Sequence, residues 1–228
     1  MLFTYPFPPA VVDILTITRG DLLRLLPDTY LNDIVIDFYQ KFVFQDAPDV
    51  QVFNSHFYTQ YCKHGFEKVE RWALKVDIFG KRTIIVPICL DLHWSLGIVQ
   101  WRPRLSITLL DSLGNYHRKS RIVTRLKKFF QQEWNAKKPG EPMTFSMDKL
   151  ELLTPKTPIQ TNSSDCGVYM LMFAQFYLQQ YQTVPIEQMF SPTIFSPADV
   201  EAKRVEMTSL LLQLQRDFSS AKATVSST

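Results

Sequence analysis

A chain of 228 residues with 46% apolar composition and 13% aromatics carries enough hydrophobic surface to bury a full core, and it is long enough to be an enzyme. Its formal net charge of +3 comes with scattered basic residues, so no electrostatic footprint for nucleic acid is expected. The three cysteines, Cys62, Cys89 and Cys166, show no disulfide-framework spacing, which points to a reducing compartment and leaves a thiol free to react.

In chain order, the opening MLFTYPFPPAVV lacks a basic leader and is broken by prolines, and no apolar stretch approaches a membrane span. A soluble protein without a membrane partner is expected. LNDIVIDFYQKF places Leu31, Ile34, Val35, Phe38 and Phe42 on one helical face, with Asn32 as its cap. RTIIVPI, HWSLGIVQW and SITLLDS are short, β-branched and apolar, and read as successive strands of one sheet. Helical spacing returns at Ile122, Leu126, Phe129, Phe130 and Trp134, with Arg121, Arg125 and Lys128 read as a solvated face. After the proline-rich stretch 139–158, residues 166–178 are too apolar all round for a surface helix and should cross the core. A last amphipathic helix is expected from Pro197 to about Phe218. Without repeats or low-complexity linkers, one compact unit over 1–218 is expected, followed by a disordered tail, SSAKATVSST, at 219–228.

QTNSSDCGVYMLM, residues 160–172, turns from polar to apolar at Cys166. A cysteine at a helix N-terminus meets the positive end of the macrodipole and unpaired amides, which favour a nucleophilic thiolate. Gly167 beside it would let a substrate backbone come close. A buried structural cysteine is the ordinary alternative, and only a partner base overturns it. His93 is the candidate. If HWSLGIVQW and SITLLDS form a hairpin turning at Arg102, Pro103 and Arg104, paired residue numbers sum to roughly 205 or 206, and with strand boundaries set to within a few residues His93 falls opposite Asp111 or its neighbour. The carboxylate would then orient the imidazole and support its cation. Gln160, six residues before Cys166, could offer its amide to an oxyanion together with the Cys166 N–H. Cys89 and His93 could start a metal site, but no second ligand pair has zinc-like spacing, so no metal is expected. Nucleophile, base, orienter and donor together describe a thiol hydrolase.

On these residues the chain resembles the ubiquitin-like-protein protease family, the sentrin/SUMO-specific cysteine proteases, in a clan that includes adenoviral proteinase. The likeness runs in order through TRGDLLRL, YLNDIVIDFY, VFNSHFYTQ, VERWALKVDIF, VPICLDLHWSLGIV, LLDSLG and QTNSSDCGVYML, about residues 18–215. It implies an α+β, papain-like fold with a central mixed sheet flanked by helices. By the same likeness 1–218 is a single catalytic domain, with His93, Asp111 and Cys166 as the triad and Gln160 as the oxyanion donor.

The resemblance also implies that Trp94 and the residue at Tyr30 clamp a Gly-Gly tail, with tyrosine standing here where the family has tryptophan. Asp33, Phe53, Arg71 and Trp72 match positions that receive the modifier's body and tail; their structural alternatives are a helix-start carboxylate, a core aromatic, a solvated base and a core aromatic. The implied activity is a cysteine peptidase or isopeptidase cutting after the Gly-Gly of a ubiquitin-like modifier, most closely SUMO, with no cofactor, acting as a monomer in the nucleus or cytoplasm, or in a host cytosol for a bacterial effector. An acyltransferase using acetyl-coenzyme A, or an idle modifier-binding module, are the alternatives.

Overall fold

The computed structural model describes residues 1–10, 12–73 and 76–225. Near the start, β1 (Phe3–Tyr5) pairs antiparallel with β2 (Leu15–Ile17). Helix α1 (Arg19–Leu23) opens on a reciprocal cap in which the Thr18 hydroxyl and the Asp21 carboxylate satisfy each other's backbone N–H. Helix α2 (Asp33–Val43) starts where expected, because the Asn32 side chain accepts from the Val35 N–H at 3.2 Å. Next come β3 (Val50–Val52), α3 (Phe57–His64) and α4 (Phe66–Ala73).

The anticipated apolar runs form β4 (Thr83–Leu90), β5 (His93–Gln100) and β6 (Ser106–Leu110). Helix α5 (Lys119–Lys137), strand β7 (Glu151–Leu153), helix α6 (Cys166–Gln180), the short α7 (Ile186–Met189) and α8 (Pro197–Val225) complete the chain. The sheet order is β3-β4-β5-β6-β7, with parallel outer pairs and antiparallel inner pairs.

The strands run as near-continuous apolar stretches because both faces of the sheet are covered. Alternate side chains serve different cores. Ile85, Trp94, Leu96, Ile98 and Leu110 pack with α2, α6 and α8. Ile84, Val86, Val99, Ile107 and Leu109 pack with α3, α4 and α5, where Phe129, Phe130 and Trp134 are buried. Helix α6 crosses the first core, which explains why it is apolar on every side.

Three features depart from the sequence reading. The edge strands β3 and β7 and the β1–β2 pair are three-residue elements, too short to show an alternating pattern. Helix α8 continues past Phe218 to Val225, so 219–225 are helical, while 226–228 lie outside the described residues. Arg125 is not simply part of a solvated face: its Nη1 lies 3.0 Å from the Cys62 sulfur. No helix of the described residues is long and apolar enough to cross a membrane.

Candidate active site

Cys166 is the first residue of α6 and is 1% exposed. The turn before it is wound around Asn162, whose Oδ1 accepts from the Ser164 and Asp165 N–H groups at 3.1 and 3.0 Å, while its Nδ2 donates to Asp165 Oδ2 at 2.7 Å. The polar run NSSD therefore closes on itself and delivers the sulfur to the helix end, where the first-turn amides have no intrahelical acceptor.

The β5–β6 register sums to 206, as in Leu96 with Leu110 and Gln100 with Ser106. Asp111 thus lies in line with Ser95, and His93 reaches it diagonally across the splaying strand ends, with His93 Nε2 2.7 Å from Asp111 Oδ1. The expected pair forms, two residues off the directly opposed position. The carboxylate is held by the loop that follows: Oδ1 accepts from the Leu113 N–H at 2.9 Å, and Oδ2 accepts from Tyr116 and His117 N–H at 3.1 and 3.3 Å. Burial opposes the charge on Asp111, but the His93 bond and these amides outweigh it and hold the carboxyl below its usual range.

Burial likewise opposes an imidazolium at His93, yet the Asp111 carboxylate and a ring N–H donated to the Cys166 sulfur raise it to about 9. Since Nε2 is committed to Asp111, Nδ1 is the nitrogen left for the sulfur. Gln160 is buried on the same loop as Cys166 and is pinned to the end of β6: its N–H donates to the Ser112 carbonyl at 2.9 Å, and Ser112 Oγ donates to its Oε1 at 2.5 Å. Its Nε2 donates to the Asn162 carbonyl at 2.7 Å. A buried sulfur nucleophile, an imidazole that favours its protonated form, a fixed carboxylate and a rigid amide can together carry nucleophilic acyl transfer.

The other anticipated residues divide. Trp94, next to His93, is buried in the same core cluster as Leu31 and Cys166. Tyr30 is 44% exposed and precedes Leu31. Asp33 is half-exposed at the start of α2 and pairs with His56 Nε2 at 2.9 Å. Arg71 is exposed on α4, and Trp72 is half-buried against the second core.

Two anticipated residues are packed in the interior. Phe53 is a core residue, its ring stacked 3.9 Å from Phe57 and edge-on to Phe129. Gly167 is also small for the sake of packing: a Cβ there would sit 3.1 Å from the Leu31 Cβ. Asn162, Asp165, Ser112 and Arg204 were not anticipated. The Asn-Ser-Ser-Asp turn was a local signal for the first two.

The family described as the Ulp1 protease family, C-terminal catalytic domain, matches residues 29–214. The chain belongs to this family. As a member, it is 32% identical over 167 residues to sentrin-specific protease 2 of Homo sapiens, covering 71% of this chain and 28% of that protein. It is 28% identical over 238 residues to ubiquitin-like-specific protease 1C of Arabidopsis thaliana, covering 90% of this chain and 42% of that one. The chain thus spans less than half the length of these curated relatives. Among solved structures, the C-terminal Ulp1 protease domain in complex with Smt3, the yeast ortholog of SUMO, superposes with a TM-score of 0.70 at 30% identity, over 88% of this chain and 85% of that one. The layered α+β architecture with its mixed sheet is that of the family.

Proposed function

We propose that this chain is a cysteine peptidase and isopeptidase that cuts after the C-terminal Gly-Gly of a SUMO-type modifier. The observation that carries the reading is the buried Cys166–His93–Asp111 set in a chain of the Ulp1 protease family. In this reading His93 takes the Cys166 thiol proton as the sulfur attacks the glycyl carbonyl, and the resulting imidazolium gives that proton to the leaving amine as the C–N bond breaks. Asp111 keeps the ring in register. The Cys166 N–H and the Gln160 amide proton not taken by Asn162 receive the oxyanion. Water, activated by the now neutral His93, then releases the thioester. The four residues supply the whole reaction without a cofactor.

Burial of the thiol supports the substrate class. A nucleophile on a residue 1% exposed is suited to a thin, extended chain, and two successive glycines offer that. Trp94 and Tyr30 are the aromatic walls of the approach, and Asp33, Arg71 and Trp72, which are at least partly exposed, are the residues that meet the modifier's folded body. Three free thiols suit a reducing compartment, the nucleus or cytoplasm.

Whole modifiers carrying a C-terminal fluorogenic group test this, with Cys166→Ala as the blank. SUMO-type substrates should be cut faster than ubiquitin-type ones with the same Gly-Gly tail, and Tyr30→Trp should leave that order intact. Faster reaction of ubiquitin, or equal reaction of short Gly-Gly peptides, would overturn the assignment.

A further inference from the structure

Helix α8 presents Val200, Met207, Leu211 and Phe218 to the first core, and on that same stripe it carries Arg204, 5% exposed. A guanidinium in such a place must find an acceptor for each of its five N–H groups or be strongly destabilising. It finds them in two segments far apart in sequence. Nε and Nη2 donate to Asp165 Oδ1 at 2.9 and 2.6 Å, Nη1 donates to the carbonyls of Arg24 and Leu26 at 3.2 Å each, and Nη2 also donates to the Thr29 carbonyl at 2.8 Å.

The placement of these acceptors is informative. Asp165 immediately precedes Cys166, and Thr29 immediately precedes Tyr30. A single nitrogen, Nη2, therefore bridges the residue before the thiol to the residue before the aromatic wall. On the far side of the same two segments, Leu31 packs against Gly167 so closely that a Cβ would meet it at 3.1 Å. The Tyr30 segment and the start of α6 are thus clamped at both ends, by charge on one side and by van der Waals contact on the other.

We infer that Arg204 is a positioning residue that sets the distance between Tyr30 and Cys166, and that selection of glycine at the scissile bond depends on it. The inference rests on the peptidase reading above. Lysine could keep the charge opposite Asp165, but its three donors radiate from one point and cannot also hold three loop carbonyls. With the clamp loosened, the Tyr30 wall can retreat and admit a methyl group.

The test is the ratio of kcat/KM for a SUMO-type substrate ending in Gly-Gly to that for one ending in Gly-Ala, with thermal melting followed in parallel. Lost folding lowers both rates together and leaves the ratio alone, so the ratio separates positioning from general stability. The native ratio should be at least about 10 to 200, the range expected for one methylene, and Arg204→Lys should lower it about tenfold. Asp165→Asn, which keeps the loop carbonyl bonds but removes the charge and sets its NH2 against that of Asn162, should lower it less. It also serves if the lysine variant does not fold. A native ratio in either folded variant overturns the positioning role, whereas a native protein that cuts neither substrate overturns the peptidase reading.

Discussion

His93 and His117 lie 5.1 Å apart, both buried and both bonded to Asp111, yet their protonation is pushed in opposite directions. His93 offers a ring nitrogen to the carboxylate and another to the thiol, and is raised to about 9. His117 offers Asp111 only its backbone N–H, while its ring sits between Ser95 Oγ at 2.7 Å and the Leu90 carbonyl at 3.1 Å. Burial, and the cation next door, then hold His117 below its ordinary value. Proximity to a carboxylate does not make a histidine cationic; a direct ring bond does. The carbonyl contact makes Nε2 of His117 the donor, so Nδ1 accepts from Ser95, and the ring is saturated as a neutral species.

The largest effect should come from breaking the direct bond. Asp111→Asn should fold yet lower kcat/KM by about 10² to 10⁴. If the amide oxygen faces His93, its NH2 opposes the Tyr116 and His117 N–H groups; if it faces them, its NH2 forces His93 into the tautomer that cannot take the thiol proton. His117→Gln, by contrast, should keep kcat/KM within about an order of magnitude. A loss at His117 as large as at Asp111 would mean that the two rings act as one unit.

The pH profile comes next. Leaving-group protonation needs the His93 cation, so activity should fall on the alkaline side with a midpoint near 9, and in Asp111→Asn that limb should move toward the ordinary histidine value of about 6.5. An alkaline limb already at the ordinary value in the native protein would contradict the direct-bond account.

Thiol chemistry sharpens the contrast further. Iodoacetamide at neutral pH followed by peptide mapping should modify Cys166 first. Cys62, beside Arg125, should follow, and Cys89, pushed up to about 11 chiefly by burial, should be last. His93→Gln should remove the lead of Cys166, and earlier labelling of Cys89 would defeat the assignment.

The smallest effect is on stability. The raised His93 contributes stability that is complete below about 6.5 and lost as pH rises toward 9, whereas the depressed His117 contributes stability that is complete above about 6.5 and lost as pH falls through its own lower value. The two windows meet near the ordinary histidine value. Melting temperatures should show His93→Gln flattening the alkaline loss and His117→Gln the acid one.

Much of this was legible from residue order. Asn32 and Pro197 marked helix starts, the apolar runs marked the three inner strands, and the polar-to-apolar break at Cys166 marked the head of α6. Even the hairpin sum of 206 lay within the range set by its turn. These features depend on neighbours within a few positions, where capping, alternation and turn chemistry act. Arg204 left a trace too, as a charge at a core-facing position of an amphipathic helix, but nothing in the order of residues names its acceptors.

What tertiary structure alone decided is which side chains meet across long separations. The Arg204–Asp165 pair spans 39 positions and the bond from Arg204 to the Thr29 carbonyl spans 175. The burial of Phe53 against Phe129 and the packing of Leu31 into the space at Gly167 are of the same kind. So is the choice between His93 and His117 as the cation, because it turns on which ring atom faces one carboxylate and which faces a carbonyl from the end of β4. Local patterning determines what each segment forms, since its energy comes from adjacent residues. The electrostatics of the site comes from atoms that only the packed sheet and helices bring within bonding distance.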